Sequence, residues 1–151
     1  YPMIMDERLE FADATALDTS GTDTDLIGDV IDLGSVTSDV GNGQPIYLVI
    51  QVDTAVTSGG SATVDFKLVS DAAAAIAVDG TATQHFASGA VGKATLVAGY
   101  TVAVVALPIG TYERFLGIIT TTAAAAVTAG KINAFLTYDP VGWTALPDAV
   151  N

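Results

Sequence analysis

Ala62-Thr63-Val64-Asp65-Phe66-Lys67-Leu68 alternates without a break. Ala62, Val64, Phe66 and Leu68 fall on one side of an extended chain, and Thr63, Asp65 and Lys67 on the other. That period of two belongs to a β-strand with one dry face, because a helix would scatter both sets around its circumference. The neighbouring sequence follows the same logic. Ile46-Tyr47-Leu48-Val49-Ile50-Gln51-Val52 is rich in strand-forming residues and follows the turn formers Gly41, Asn42, Gly43 and Pro45. Thr57-Ser58-Gly59-Gly60-Ser61 between the two runs reads as a hairpin connection. Further strands are predicted near 30–33 and at 84–88, 94–98, 101–107, 113–121 and 131–138. Gly89, Gly92, Gly99, Pro108, Gly110 and Gly130 punctuate them. The alanine-rich stretches 72–75 and 123–126 are too short for stable helices and are expected to be loops or strand edges. The pattern predicts an all-β sandwich with Ala62, Val64, Phe66, Leu68, Ile132, Ala134 and Leu136 in the core.

The 151 residues suit one domain, and half of them are hydrophobic. Mean hydropathy is +0.51. Without cysteine there is no disulfide, thiolate metal site or cysteine nucleophile. Charge is divided unevenly. Residues 1–53 hold eleven acids and one base, Arg8, for a net of −10. Residues 54–151 hold six acids and four bases, for a net of −2. The second segment has only ten charged residues in 98, whereas an ordinary soluble domain is about one-quarter charged. Part of its surface is therefore expected to be covered by other protein, with a homodimer favoured and a trimer as the alternative. The overall charge of −12 repels phosphate backbones, so no nucleic-acid partner is expected. The uncharged run 94–112 contains Gly99, Pro108 and several threonines and reads as strands rather than a membrane span. The acidic start lacks the basic residues and apolar run of a targeting segment.

Little in the chain points to catalysis. His85 is the only histidine, and no motif places a serine beside it, so no enzyme activity is expected. Asp23-Thr24-Asp25-Leu26-Ile27-Gly28 matches the start of a calcium loop. The match then fails, with Ile27 at a ligand position and Gly34 where a bidentate glutamate belongs. No metal or cofactor is expected. Gly41-Asn42-Gly43 lacks the third glycine of a dinucleotide loop. Arg114, set among Tyr112, Phe115 and Leu116, is expected to be partly buried and then to need a carboxylate or carbonyl partner. Trp143 and the tyrosines leave an alternative open, a β-sandwich binding module for glycans or surface adhesion on a phage tail or cell surface.

The opening Met5-Asp6-Glu7-Arg8-Leu9-Glu10-Phe11-Ala12-Asp13-Ala14 and the later Val30-Ile31-Asp32-Leu33-Gly34 resemble the jelly-roll capsid cement proteins of tailed bacteriophages. The segments 45–52, 64–71, 107–117 and 130–139 continue the resemblance in order, over about Met3 to Trp143. The lengthened acidic stretch 20–29 departs from it. The resemblance implies a jelly roll of two antiparallel sheets, without catalytic residues, on the outer surface of the capsid in the virion. There it would tie major capsid proteins together. Residues 1–27 are then expected to form an extended acidic N-terminal arm, and 28–151 the jelly-roll domain. The candidate partner-binding residues are Asp6, Glu7, Arg8, Phe11, Asp23, Asp25 and Arg114.

Overall fold

The computed structural model describes residues 7–40, 43 and 45–140. After a single 3₁₀ turn at Glu7–Leu9, eight strands follow. They are β1 (Glu10–Ala16), β2 (Thr24–Val40), β3 (Tyr47–Thr57), β4 (Thr63–Asp71), β5 (Thr83–Gly92), β6 (Thr101–Ala106), β7 (Gly110–Ala123) and β8 (Ala129–Thr137). One sheet has the order β1-β8-β3-β6 and the other β2-β7-β4-β5, with every pairing antiparallel. Consecutive strands mostly change sheets, and the two orders together are those of a jelly roll.

The alternation of residues 62–68 holds in detail. Val64, Phe66 and Leu68 of β4, with Ala62 just before it, are buried in one cluster with Ile132, Ala134 and Leu136 of β8. Leu48, Ile50 and Val52 of β3 and Leu116 and Ile118 of β7 complete the space between the sheets. Thr63, Asp65 and Lys67 point outward, and Lys67 Nζ lies 3.9 Å from an Asp65 carboxylate oxygen.

Two strands are apolar on both sides. Val49 and Phe135, register partners across β3 and β8, point away from this core and are buried as well. That explains why 47–52 reads as a continuous apolar run. Polar neighbours on the same face are satisfied. Gln51 Nε2 donates to the Gly99 carbonyl and to Thr101 Oγ1, and Asn133 Oδ1 accepts from the Ala14 N–H at 2.6 Å. On the outer face of the second sheet, Val69 and Ile119 meet Ile76 from the β4–β5 loop. Gly117 makes the room, since a Cβ there would lie 2.6 Å from Ile76 Cδ1. The Asp71 carboxylate holds the loop by accepting the Ala73 and Ala77 N–H groups. The alanine-rich stretch 72–75 lies within that loop, and the second crosses the end of β7 into the loop before β8.

Three expectations are corrected. The connection 57–61 is not a hairpin, because β3 and β4 belong to different sheets and the glycines let the chain cross between them. Residues 94–98 are turn rather than strand. Leu96 alone is plugged into the core while its N–H reaches back to the Gly92 and Lys93 carbonyls. The segment expected to be an acidic arm, 1–27, contains all of β1 and the start of β2, so the expected boundary at 27/28 falls inside a strand. Phe11, Leu17 and Ile27 are buried core residues, and their burial draws this acidic stretch into the sandwich.

Gly28 fixes how β1 crosses β2. Its φ is +72°, and a Cβ there would lie 2.0 Å from the Phe11 carbonyl oxygen. Gly34 has a similar φ of +77° but open space around it. Gly34→Ala is therefore expected to cost about 1 kcal/mol through backbone strain alone. Gly28→Ala should cost about 3 kcal/mol or more, because the backbone oxygen cannot step aside as a side chain can. Phe66→Ala should cost about 3–5 kcal/mol. Urea unfolding monitored by circular dichroism checks all three through the transition midpoint.

Candidate functional site

The structure disperses the candidate partner-binding residues. Asp6 lies outside the described residues, and Glu7 opens the 3₁₀ turn. Arg8 precedes β1, whereas Asp23 and Asp25 follow it, so the seven residues of β1 separate them. Phe11 is spent on the core at 1% exposure and cannot serve as a contact. Arg114 on β7 has the carboxylate partner its setting called for. Its Nε and Nη2 donate to the two Asp32 oxygens at 2.9 and 3.0 Å, and its guanidinium lies 5.1 Å from the Phe115 ring centroid. The pair is exposed rather than partly buried. The guanidinium hydrogen bonds hold the Asp32 carboxyl below its usual range.

Arg8 belongs to a feature that sequence reading did not assemble. β1 and β2 pass at one edge of the sandwich, in contact yet in different sheets. β1 shifts register twice against β8, and β2 shifts twice against β7. These bulges leave a trough between the two strands. One part, of about 420 Å³, is lined by Glu10, Ala12, Asp13, Thr15 and Asp29. The adjoining part, of about 340 Å³, is lined by Arg8, Glu10, Asp29, Val30, Ile31 and Asp32. Four carboxylates and one guanidinium thus face a shared channel. Glu10, Asp13, Asp29 and Asp32 were overlooked as a group because they lie on two strands that only the topology brings together.

Beyond the end of β1 is a second acidic group. Carboxylate oxygens of Asp18, Asp23 and Asp25 lie within 4.8 Å of one another. Ser20 donates its N–H and hydroxyl to Asp18, which holds that carboxyl below its usual range. Asp25 is pushed up, first by desolvation and then by a hydrogen bond to Asp23 and the charges of Asp18 and Asp23. Ile27, which occupied a ligand position in the calcium-loop comparison, is buried in β2. Asp23 and Asp25 therefore enter a strand rather than a closed loop.

The aromatic residues that suggested a glycan platform do not gather among the described residues. Tyr112 is buried. Tyr47 and Tyr138 lie near one end of the first sheet, whereas Tyr100 precedes β6 at the other. Trp143 lies outside the described residues. His85 contacts a serine after all, with Nε2 2.7 Å from Ser70 Oγ. Ser70 is fully buried, so no substrate carbonyl can reach that oxygen.

Set against known families, residues 11–136 match the family model described as Bbp16. No curated protein matches the chain.

The electrostatics of the second acidic group have a measurable consequence. A carboxyl whose pKa is raised on folding favours the native state below its unfolded value, 3.8 for Asp25, and loses that contribution as pH rises through the raised value. Asp25→Asn removes the opposed charge. It is expected to raise Tm at pH 7 in low salt and to leave Tm nearly unchanged near pH 3. Differential scanning calorimetry at the two pH values checks this.

Proposed function

This chain belongs to the Bbp16 family, and from that footing we propose that it is a structural cement protein on the outside of a tailed-phage head. It binds at junctions between major capsid subunits and stiffens the shell. One observation carries the reading: the two free edges of the sandwich have opposite character. β1 and β2 bring Glu10, Asp13, Asp25, Asp29 and Asp32 to one edge. β5 and β6 form the other edge and contain no Asp, Glu, Lys or Arg. The lopsided charge of the sequence thus becomes a lopsided molecule.

The jelly-roll strand order is the fold that the resemblance to capsid cement proteins implies, and it supports the same reading. The acidic trough suits basic loops of capsid subunits. Charge pairing there guides docking, and many subunits acting together hold a shell although each contact is modest. The opposite edge suits self-association. Uncharged edge strands lack the usual guard against pairing with another chain, and Val104 on β6 and nearby Val97 are about half exposed. A homodimer is favoured and a trimer is the alternative.

Heads lacking the protein are expected to burst at lower temperature and under milder osmotic shock than complete heads. The double variant Asp13→Asn/Asp29→Asn should fold normally. It should bind stripped heads roughly two- to fivefold more weakly per neutralised charge at low ionic strength, and the gap should close as salt rises. Co-sedimentation with stripped heads across a salt series measures it. Equal binding by both proteins at every salt concentration removes the trough from the contact. Complete heads with no density for the protein overturn the cement reading itself.

A further inference from the structure

β5 pairs only with β4, at the outer edge of its sheet. Its ladder slips between Leu68↔Phe86 and Val69↔Gln84, and His85 is the residue that falls in the gap. Backbone pairing is interrupted there, so side chains make the connection. His85 Nε2 lies 2.7 Å from Ser70 Oγ on β4. The imidazole lies flat on the Tyr112 ring of β7, with centroids 3.8 Å apart and planes 8° from parallel. Tyr112 is itself fixed, its hydroxyl donating to the Pro108 carbonyl at 2.8 Å.

The direction of the hydrogen bonds sets the protonation state. The Glu113 N–H donates to Ser70 Oγ at 3.2 Å, and for the hydrogen of this buried hydroxyl the acceptor within reach is His85 Nε2, so the serine is fully satisfied when it donates there. That nitrogen must be unprotonated to accept it. An imidazolium would aim a second N–H at the same oxygen and strand the serine hydrogen, in a residue with no exposed surface.

We propose that the Ser70–His85–Tyr112 contact is an acid-sensitive latch. With the imidazole neutral it ties edge strand β5 to β4 and β7, and protonation releases β5 while the rest of the sandwich holds. The surrounding charges leave this role to His85. On β4, Lys67 is near Asp65 and Thr121, and Asp71 accepts the Ala77 N–H. In the β4–β5 loop, Asp79 accepts from Thr81. On β7, Arg114 holds Asp32, and the Glu113 carboxylate accepts from Thr83 Oγ1 at 2.6 Å. Burial lowers the His85 pKa from its ordinary 6.5, with the Glu113 charge opposing. The latch is therefore fully closed above that ordinary value and opens as pH falls through the lowered one.

Hydrogen–deuterium exchange on the full chain at pH 7.5 and 5.0, corrected for the intrinsic pH dependence of exchange, tests the latch. Protection of β5 amides should fall about tenfold at the lower pH, while β4, β7 and β8 keep theirs. In His85→Gln, which cannot titrate, β5 protection should be the same at both values. The wild-type protein supplies a second measurement should that variant fail to fold. The midpoint of the His85 ring-proton titration by NMR should coincide with the pH at which β5 protection is lost. Unchanged β5 protection, a loss shared by the whole sandwich, an equal loss in His85→Gln, or non-coincident midpoints would each overturn the proposal.

Discussion

The contact of Gly28 with the Phe11 carbonyl oxygen governs much of this molecule. At that point the first two strands pass one another on their way into different sheets, at a separation no side chain permits. The approach puts Phe11 and Ile27 into the shared core. It also turns the acids of both strands outward beside each other. A β-sandwich buries apolar faces well but leaves edges open. Here the strands of one free edge, β1 and β2, meet by contact instead of by hydrogen bonding, and the trough is the space remaining.

The central strands were legible because their burial is regular. From 62 to 68 the alternation in sequence is the alternation in space, and although β8 is buried on both faces from Ile132 to Leu136, the seven core residues named from the two strands are all buried. β1 was illegible for the converse reason. Two bulges break its period, so Phe11 and Ala12 are buried in succession, and its acids suggested a solvated arm. Residues 94–98 misled in the other direction. Their composition suits a strand, yet only Leu96 is needed by the core, and Gly92 and Gly99 allow the chain to turn on either side of it. The glycines at 59 and 60 suit a hairpin and a crossing between sheets equally well. Local sequence does not say which sheet receives the next strand.

The candidate site was less legible than the fold. The sequence disclosed that acids crowd its first third, and that Arg114 needed a carboxylate. It could not show that Asp32 is that carboxylate, 82 positions away. Nor could it show that Glu10, Asp13 and Asp29 line one channel. Such groupings arise from the order of strands in sheets, which depends on long-range pairing. The same holds for His85, whose setting is made by Ser70 and Tyr112 from two other strands.

The strand order has a mechanical side. β1 and β8 are antiparallel neighbours, with Glu10 opposite Phe135. The chain therefore enters β1 and leaves β8 at the same end of the sandwich. Tension applied through those two points would peel the β1–β8 ladder open one hydrogen bond at a time, because antiparallel bonds lie across the strands. The same tension directed along the strands would have to break a row of bonds together. The fold is therefore weak when pulled through the start of β1 and the end of β8, and strong when the load runs along its strands.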